Sequence, residues 1–565
     1  MASIIKKRRG ERVYLYAATS ARVDGQPRIV DQVYLGTEDE VIARLAGQAG
    51  DGLALPSATE HRRFGDVAAV WGMLTRLDAA GTIDALVGDA KVSGGVTVGT
   101  YLALAALNRV CDPRSKAGFV DWYATTSLPR IVRIPARMLD HRRFWDAMDR
   151  VDIEKVDEIE TALTRRMIEV FGLDTSGLIL DMTNFATFLD STNTRAPLAA
   201  RGKAKQKRYD LRLVGLGLVA TRDGGIPLLS RVYRGSLPDV TQFTPMIKEL
   251  ARRYTDAVEA PGGLTLTFDA GQNSTPNFTE LAALRLHFVG SVPPSEQPDL
   301  LAQPATDRTP VDRYATEGLT ALDARARVLG AQRRVILTHS PSLHTAQQVG
   351  FAQTLAKATG ALDELAARLA RGRTRRGRAA VEADIRGILT PRWVARVLRV
   401  KLTGDTPATL RLAWHHDTDA QDTLEEEIFG KRILVTNHDN WPVEQVIDAY
   451  RSQEDLEAGF RQAKDPHVVS FSPIHHFTDH KIRIHLFTCV LALAVAYLMR
   501  RQAERAGLGL SVPVLLRELA GIGETVLLYQ GERGRPRARQ MITRLSPTQQ
   551  QLHDLFALER YTPER

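Results

Sequence analysis

Cysteine is nearly absent: Cys111 and Cys489 are the only two in 565 residues. That excludes a disulfide framework and a CxxC metal site. It suits a reducing compartment, and a cytoplasmic location is expected. Long apolar runs are missing too. The longest, LFTCVLALAVAYLM from Leu486 to Met499, is short for a bilayer and reads as a buried helix, so no membrane partner is expected. The first residues, MASIIKKRRGERVYLY, are basic with no apolar stretch behind them and are not expected to be a signal peptide. There is no internal repeat, no phosphate-loop glycine pattern and no Ser-His-Asp spacing. His475, His476, His480 and His485 cluster, but zinc wants further ligands at fixed spacing, typically Cys, and none is evident.

Positive charge is in modest excess. The formal charge is +9 and the pI about 9.5, carried by Arg-rich patches rather than a basic tail. A polyanionic partner is expected, nucleic acid first. With 44% apolar residues the chain can bury a large core and hold several domains.

The pattern changes along the chain. Residues 1–50 alternate in strand fashion around the turn DGQP and read as a β-hairpin region. Residues 60–172 have helical periodicity. From Gly177 the order becomes β-β-β-α-β-α-β, which implies an α/β fold: a mixed sheet flanked by helices. This reading divides a core into 173–296 and 433–505, with a β-rich insertion at 297–432 and a C-terminal helical tail at 506–565.

Three acids lie where acids are awkward. Asp181 interrupts the apolar strand LILDMTNF, and Asp269 ends the strand LTLTFDAG. Glu457 belongs to AYRSQEDLEAGFRQAKD. Read as one helix at about 100° per residue, that segment puts Val446, Tyr450, Gln453, Glu457, Phe460 and Lys464 on one inward stripe. Each acid alone has an ordinary reading as a turn cap, an edge charge or an ion-pair partner. Together they can converge. Buried carboxylates repel one another unless paired, and Mg²⁺, which prefers carboxylate and water oxygens, removes that penalty. Two such ions about 4 Å apart suit phosphodiester chemistry.

These blocks resemble the DDE transposases of bacterial insertion sequences, which have a ribonuclease H-like catalytic core. Tyr450, Glu457 and Lys464 match the Tyr-x2-Arg-x3-Glu-x6-Lys signature of the insertion-sequence-four group, with Gln453 in the Arg position. YDLRLVGLGLVATRDGGIPL, YRGSLPDVTQF, TFDAGQNS, LVTNHDNWPVEQVIDAY and PIHHFTDHKIRIHLF resemble further blocks, closest to insertion-sequence family sixteen thirty-four. The resemblance covers roughly residues 177–500. It implies a catalytic and metal-binding triad of Asp181, Asp269 and Glu457, with Mg²⁺ as cofactor and Mn²⁺ as substitute. It implies DNA contacts from Tyr450 and Lys464 and, with its Arg replaced, from the Gln453 position. In such an enzyme the basic loop RGKAKQKR, with Lys203, Lys205, Lys207 and Arg208, would grip phosphates. The Arg-rich run 368–378 has the same two readings, solvated surface or phosphate contact. Trp414 and Trp441 could stack on an unpaired base or simply fill a core. The implied partners are double-stranded DNA, both terminal repeats and target, and a second copy of the chain in the DNA complex. Two alternatives stay open: a metal-dependent nuclease that cuts without joining, and a DNA-binding protein without transposition activity.

Overall fold

The computed structural model describes all residues except 1, 11, 24–25, 49–55, 89–94, 205–209, 255–262, 373–374, 530–536 and 564–565. Its strands in chain order are β1 (Ala2–Arg9), β2 (Arg12–Val23), β3 (Gln26–Thr37), β4 (Ala58–Arg63), β5 (Gly177–Thr187), β6 (Arg212–Thr221), β7 (Pro227–Arg234), β8 (Thr265–Phe268) and β9 (His287–Val292). They continue with β10 (Thr309–Pro310), β11 (Thr320–Val328), β12 (Ala331–His339), β13 (Leu398–Thr403), β14 (Arg411–His416), β15 (Lys431–Thr436), β16 (Gly523–Tyr529) and β17 (Arg537–Ile542).

The central sheet runs β10-β11-β12-β15-β9-β8-β5-β6-β7. Within it, β5, β6 and β7 form an antiparallel meander, while β8 and β9 run parallel to β5. Five strands in the order third-second-first-fourth-fifth, with helices on the flanks, are the ribonuclease H-like arrangement expected from the sequence. The segment GLILDMTNFAT makes β5 a central strand because it is buried almost throughout, as strands covered on both faces are. Asp181 is its one partly exposed residue. The β6–β7 turn carries Gly224 and Gly225 at φ +93° and +69°, values that a side chain would disfavour.

Behind the sheet runs the helix Asp479–Arg505. Among the described residues it is the one helix long and apolar enough to cross a bilayer, and 94% of its most apolar window is buried within the protein. The expectation of a buried helix therefore stands, although the helix is longer than its apolar run. Its Arg501 guanidinium pairs with Asp223 in the β6–β7 turn and donates to the carbonyls of Phe171 (2.9 Å) and Gly172 (3.0 Å). These contacts fasten the core to the end of the helix Ile153–Phe171, the last of the helical region.

The structure departs from the sequence reading in four places. The N-terminal region is a three-stranded sheet, β1-β2-β3, followed by the helix Glu38–Gln48, rather than a hairpin alone. The basic run KKRR hides the alternation of β1. The supposed insertion begins inside the core: β10, β11 and β12 extend the central sheet. Only then do the helices Pro341–Ala370 and Arg378–Leu389, the hairpin β13–β14 and the helix Thr418–Ile428 follow. Residues 506–565 are not all helix, because GETVLLY forms β16, which pairs with β17 and with β4. That pairing satisfies backbone groups on β4 that would otherwise lack partners. Finally, AYRSQEDLEAGFRQAKD is not one helix. It breaks at Ser452 into the helices Val443–Arg451 and Gln453–Lys464.

Candidate active site

The parallel pairing of β5 with β8 builds the site. Leu178 faces Leu266, Ile179 faces Thr267, and Leu180 faces Phe268. The next step brings Asp181 level with Asp269, whose backbone is still extended (φ −88°, ψ 163°). In-register residues of neighbouring strands share a face and stand about 4.8 Å apart along the backbone. The register thus sets Asp181 level with Asp269, just past the carboxyl end of β8. The β8–β9 pairing, extended in the same way, brings Ser291 level with Asp269. Its hydroxyl donates to Asp269 Oδ1 at 3.0 Å and accepts from the Ala270 amide at 3.2 Å.

The two helices of the broken segment lie over this row. Tyr450, at the end of the first, is 8% exposed and donates its hydroxyl to Asp269 Oδ1 at 3.1 Å. Burial, then the negative charge of Asp269, push its phenol up to about 12, so it remains a donor at neutral pH. Lys464, at the end of the second, donates to Thr183 Oγ1 at 2.6 Å and sits 5.8 Å from the centre of the Phe185 ring. Thr183 is two residues beyond Asp181 on β5 and faces the same way. On Asp181, Oδ1 accepts from the Met182 amide at 2.6 Å.

Glu457 is placed differently from the expectation. It is exposed, whereas Gln453, Leu456, Gly459, Phe460 and Ala463 form the buried stripe of its helix. Glu457 lies at the edge of that stripe, because the buried face runs through Leu456, Gly459 and Ala463 and Glu457 stands about 100° round the helix from Leu456. Among the described residues no group of three His, Cys, Asp or Glu side chains is gathered closely enough to hold a metal ion. The strand register therefore sets Asp181 level with Asp269, while Glu457, on the helix Gln453–Lys464, is exposed.

The expected DNA-facing residues divide. Gln453 is buried at 9% exposure, so it faces the core and not a ligand. Tyr450 is also mostly enclosed, with its hydroxyl on Asp269 rather than turned outward. Lys203 is exposed, and its carbonyl accepts from Asn184 Nδ2 at 3.0 Å. Lys205, Lys207 and Arg208 lie outside the described residues. In the Arg-rich run, Arg376 and Arg378 pair with Asp384 and Glu382. Trp414 Nε1 donates to Asp363 at 3.0 Å, and Trp441 stacks on His438 with ring centres 3.6 Å apart. Both indoles therefore have partners within the fold. Of the histidines, His485 Nε2 lies 3.0 Å from the Phe471 carbonyl, and burial holds its ring well below the usual histidine range.

Three residues near the site were missed from sequence. Ser291 and Thr183 are polar positions in otherwise buried strands, one level with Asp269 and the other two residues after Asp181. That position was the available signal. Arg432 at the start of β15 is exposed, with its guanidinium 5.1 Å from the centre of the Tyr450 ring. It lines a cleft with Thr338, Ser340, Ile447 and Tyr450. Nothing in KRILVT distinguishes it from any other strand arginine.

No protein-family model matches the chain, and no curated protein matches it. Among solved structures, a piggyBac transposase synaptic complex with hairpin DNA, determined by cryo-EM, is similar over 82% of each chain, with 10% identity and a TM-score of 0.36.

Proposed function

We propose that the protein is a DDE-type transposase that cleaves DNA at the ends of a mobile element and joins those ends to target DNA. The observation that carries this reading is the level placement of Asp181 and Asp269 on adjacent parallel strands of a ribonuclease H-like sheet, beneath the helix bearing Glu457. Paired carboxylates completed by water and phosphate oxygens are a donor set that Mg²⁺ accepts. Asp181 and Asp269, with Glu457, would hold it; when bound, the ion lowers the pKa of water and neutralises charge on the phosphoryl oxygens.

The chain's own groups serve that chemistry. Tyr450 and Ser291 both donate to Asp269 Oδ1 and fix the orientation of that carboxylate. Lys464 adds a positive charge on the Asp181 side. Glu457 is the member that must swing in from the solvent edge, and the junction at Ser452 gives its helix a point about which to roll. In the first reaction, water attacks the phosphorus at the element end and the 3′ oxygen leaves as a hydroxyl. In the second, that hydroxyl attacks a target phosphodiester and the target's 3′ oxygen leaves. One ester bond forms as one breaks, so the joining step needs positioning rather than an energy source.

The test uses intact and pre-cut duplexes carrying the gene's own flanking repeats, a target plasmid, and Mg²⁺ or Mn²⁺. Joined product, absent with Asp269→Ala, supports a transposase. Cleavage of intact ends without joining makes the protein a nuclease. Sequence-specific binding with neither reaction makes it a DNA-binding protein and overturns the enzymatic reading.

A further inference from the structure

Away from the carboxylates, a second feature is unusual in its charge. A cleft of about 690 Å³ opens between the helix Leu128–Val132, β17 and the C-terminal residues 560–563. Arg130, Arg133, Arg539 and Arg560 line it, and among the described residues no acid does. Arg130 is already committed to Glu524, which is completely buried. Among the described residues the other three guanidiniums have no hydrogen-bond or ion-pair partner. Glu559, the acid next to Arg560 in sequence, lies 3.9 Å from His553.

Several arginines elsewhere are neutralised by carboxylates. Arg63 pairs with Asp66, Arg253 with Glu160 and Asp157, and Arg501 with Asp223. Three unpaired positive groups around one concavity repel one another, and a polyanion would relieve that repulsion. Arg133 ends its helix at φ +59°, in the left-handed region that favours glycine.

We infer that this cleft holds the phosphate backbone of duplex DNA through Arg133, Arg539 and Arg560. The choice of duplex DNA over other polyanions rests on the function proposed above; the cationic lining does not. Gln540, Tyr561 and Thr562 on the same walls offer neutral hydrogen-bonding groups beside the charges. The cleft also joins distant parts of the chain, because β17 reaches β4 only through β16. DNA held here would be gripped by the helical region and the C-terminal hairpin together. Phosphate contacts of this kind position a duplex and do not read its sequence.

The experiment measures full-length protein binding to two fluorescent duplexes, one with the flanking repeats and one unrelated, across a salt series. Each phosphate neutralised contributes about 0.9 to the slope of log K against log salt. The triple variant Arg133→Gln, Arg539→Gln, Arg560→Gln is expected to lower that slope by about 2 to 3, equally on both duplexes. The corresponding triple lysine variant should recover most of it, which separates lost charge from lost folding. If wild-type protein binds but never cuts, the proposed activity fails while the cleft assignment survives. An unchanged slope in the glutamine variant, or a wild-type protein that ignores duplex DNA, overturns the assignment.

Discussion

Replacing Tyr450 with phenylalanine removes one oxygen and tests how the site is held. The hydroxyl donates to Asp269 Oδ1 at 3.1 Å, inside a residue only 8% exposed. A hydrogen bond to a charged acceptor contributes about 1.5–3 kcal/mol. Ser291 still donates to the same oxygen in the variant, so the carboxylate loses one of two restraints rather than both. Outer groups that orient metal-binding carboxylates typically change metal affinity or activity about 10–100-fold when removed. Tyr450→Phe is therefore expected to slow Mg²⁺-dependent cleavage by about 10–100-fold and to raise the Mg²⁺ concentration needed for half-maximal rate. The ring remains, so its packing and the nearby Arg432 guanidinium should be preserved, along with duplex affinity. Single-turnover cleavage across a Mg²⁺ titration, alongside duplex binding, reads both quantities. A cleavage rate within twofold of wild type would refute the positioning role. Loss of duplex affinity with cleavage of bound DNA intact would return Tyr450 to a DNA contact.

Two further outcomes follow from groups outside the site. Arg253 is almost fully buried between Glu160, Asp157 and Glu249. Glu160→Ala leaves that charge under-compensated and should destabilise the fold by about 3–5 kcal/mol in urea unfolding, whereas a loss under 1 kcal/mol would show the pair to be dispensable. His438 is held neutral chiefly by burial, its pKa lowered from 6.5 to about 4. The unfolded chain takes up a proton there first, so this residue's contribution to stability is present above about pH 6.5 and is lost as the pH falls toward 4. His438→Gln should flatten that part of the stability–pH curve; an unchanged slope between pH 6.5 and 4 would show that His438 does not drive it.

Much of the site was legible from the sequence because its carboxylates violate local rules. An acid inside LILDMTNF and another ending LTLTF stand out against apolar neighbours. Their register was not legible. It depends on a parallel pairing between strands separated by the whole β6–β7 hairpin, and periodicity carries no information about which strands become neighbours. Ser291 was missed for the same reason. The inward stripe drawn through Gln453, Glu457 and Phe460 misses the buried face of Gln453–Lys464, which centres on Leu456, Gly459 and Ala463, and neither proline nor glycine marks the break at Ser452. The C-terminal hairpin was hidden because the partner of β16, β4, lies near the other end of the chain. The β10–β12 extension looked like an insertion because sequence order suggests separation, while hydrogen bonding places these strands in the central sheet.

The most direct test of the central claim compares Asp181→Asn, Asp269→Asn and Glu457→Gln in single-turnover cleavage of a flanking-repeat duplex with Mg²⁺. These changes keep size and remove charge. The account expects all three to bind the duplex as tightly as wild type, and expects cleavage to fall at least about 10³-fold, a loss of roughly 4 kcal/mol in transition-state stabilisation. Wild-type cleavage by either aspartate variant would contradict it and place the chemistry elsewhere on the protein.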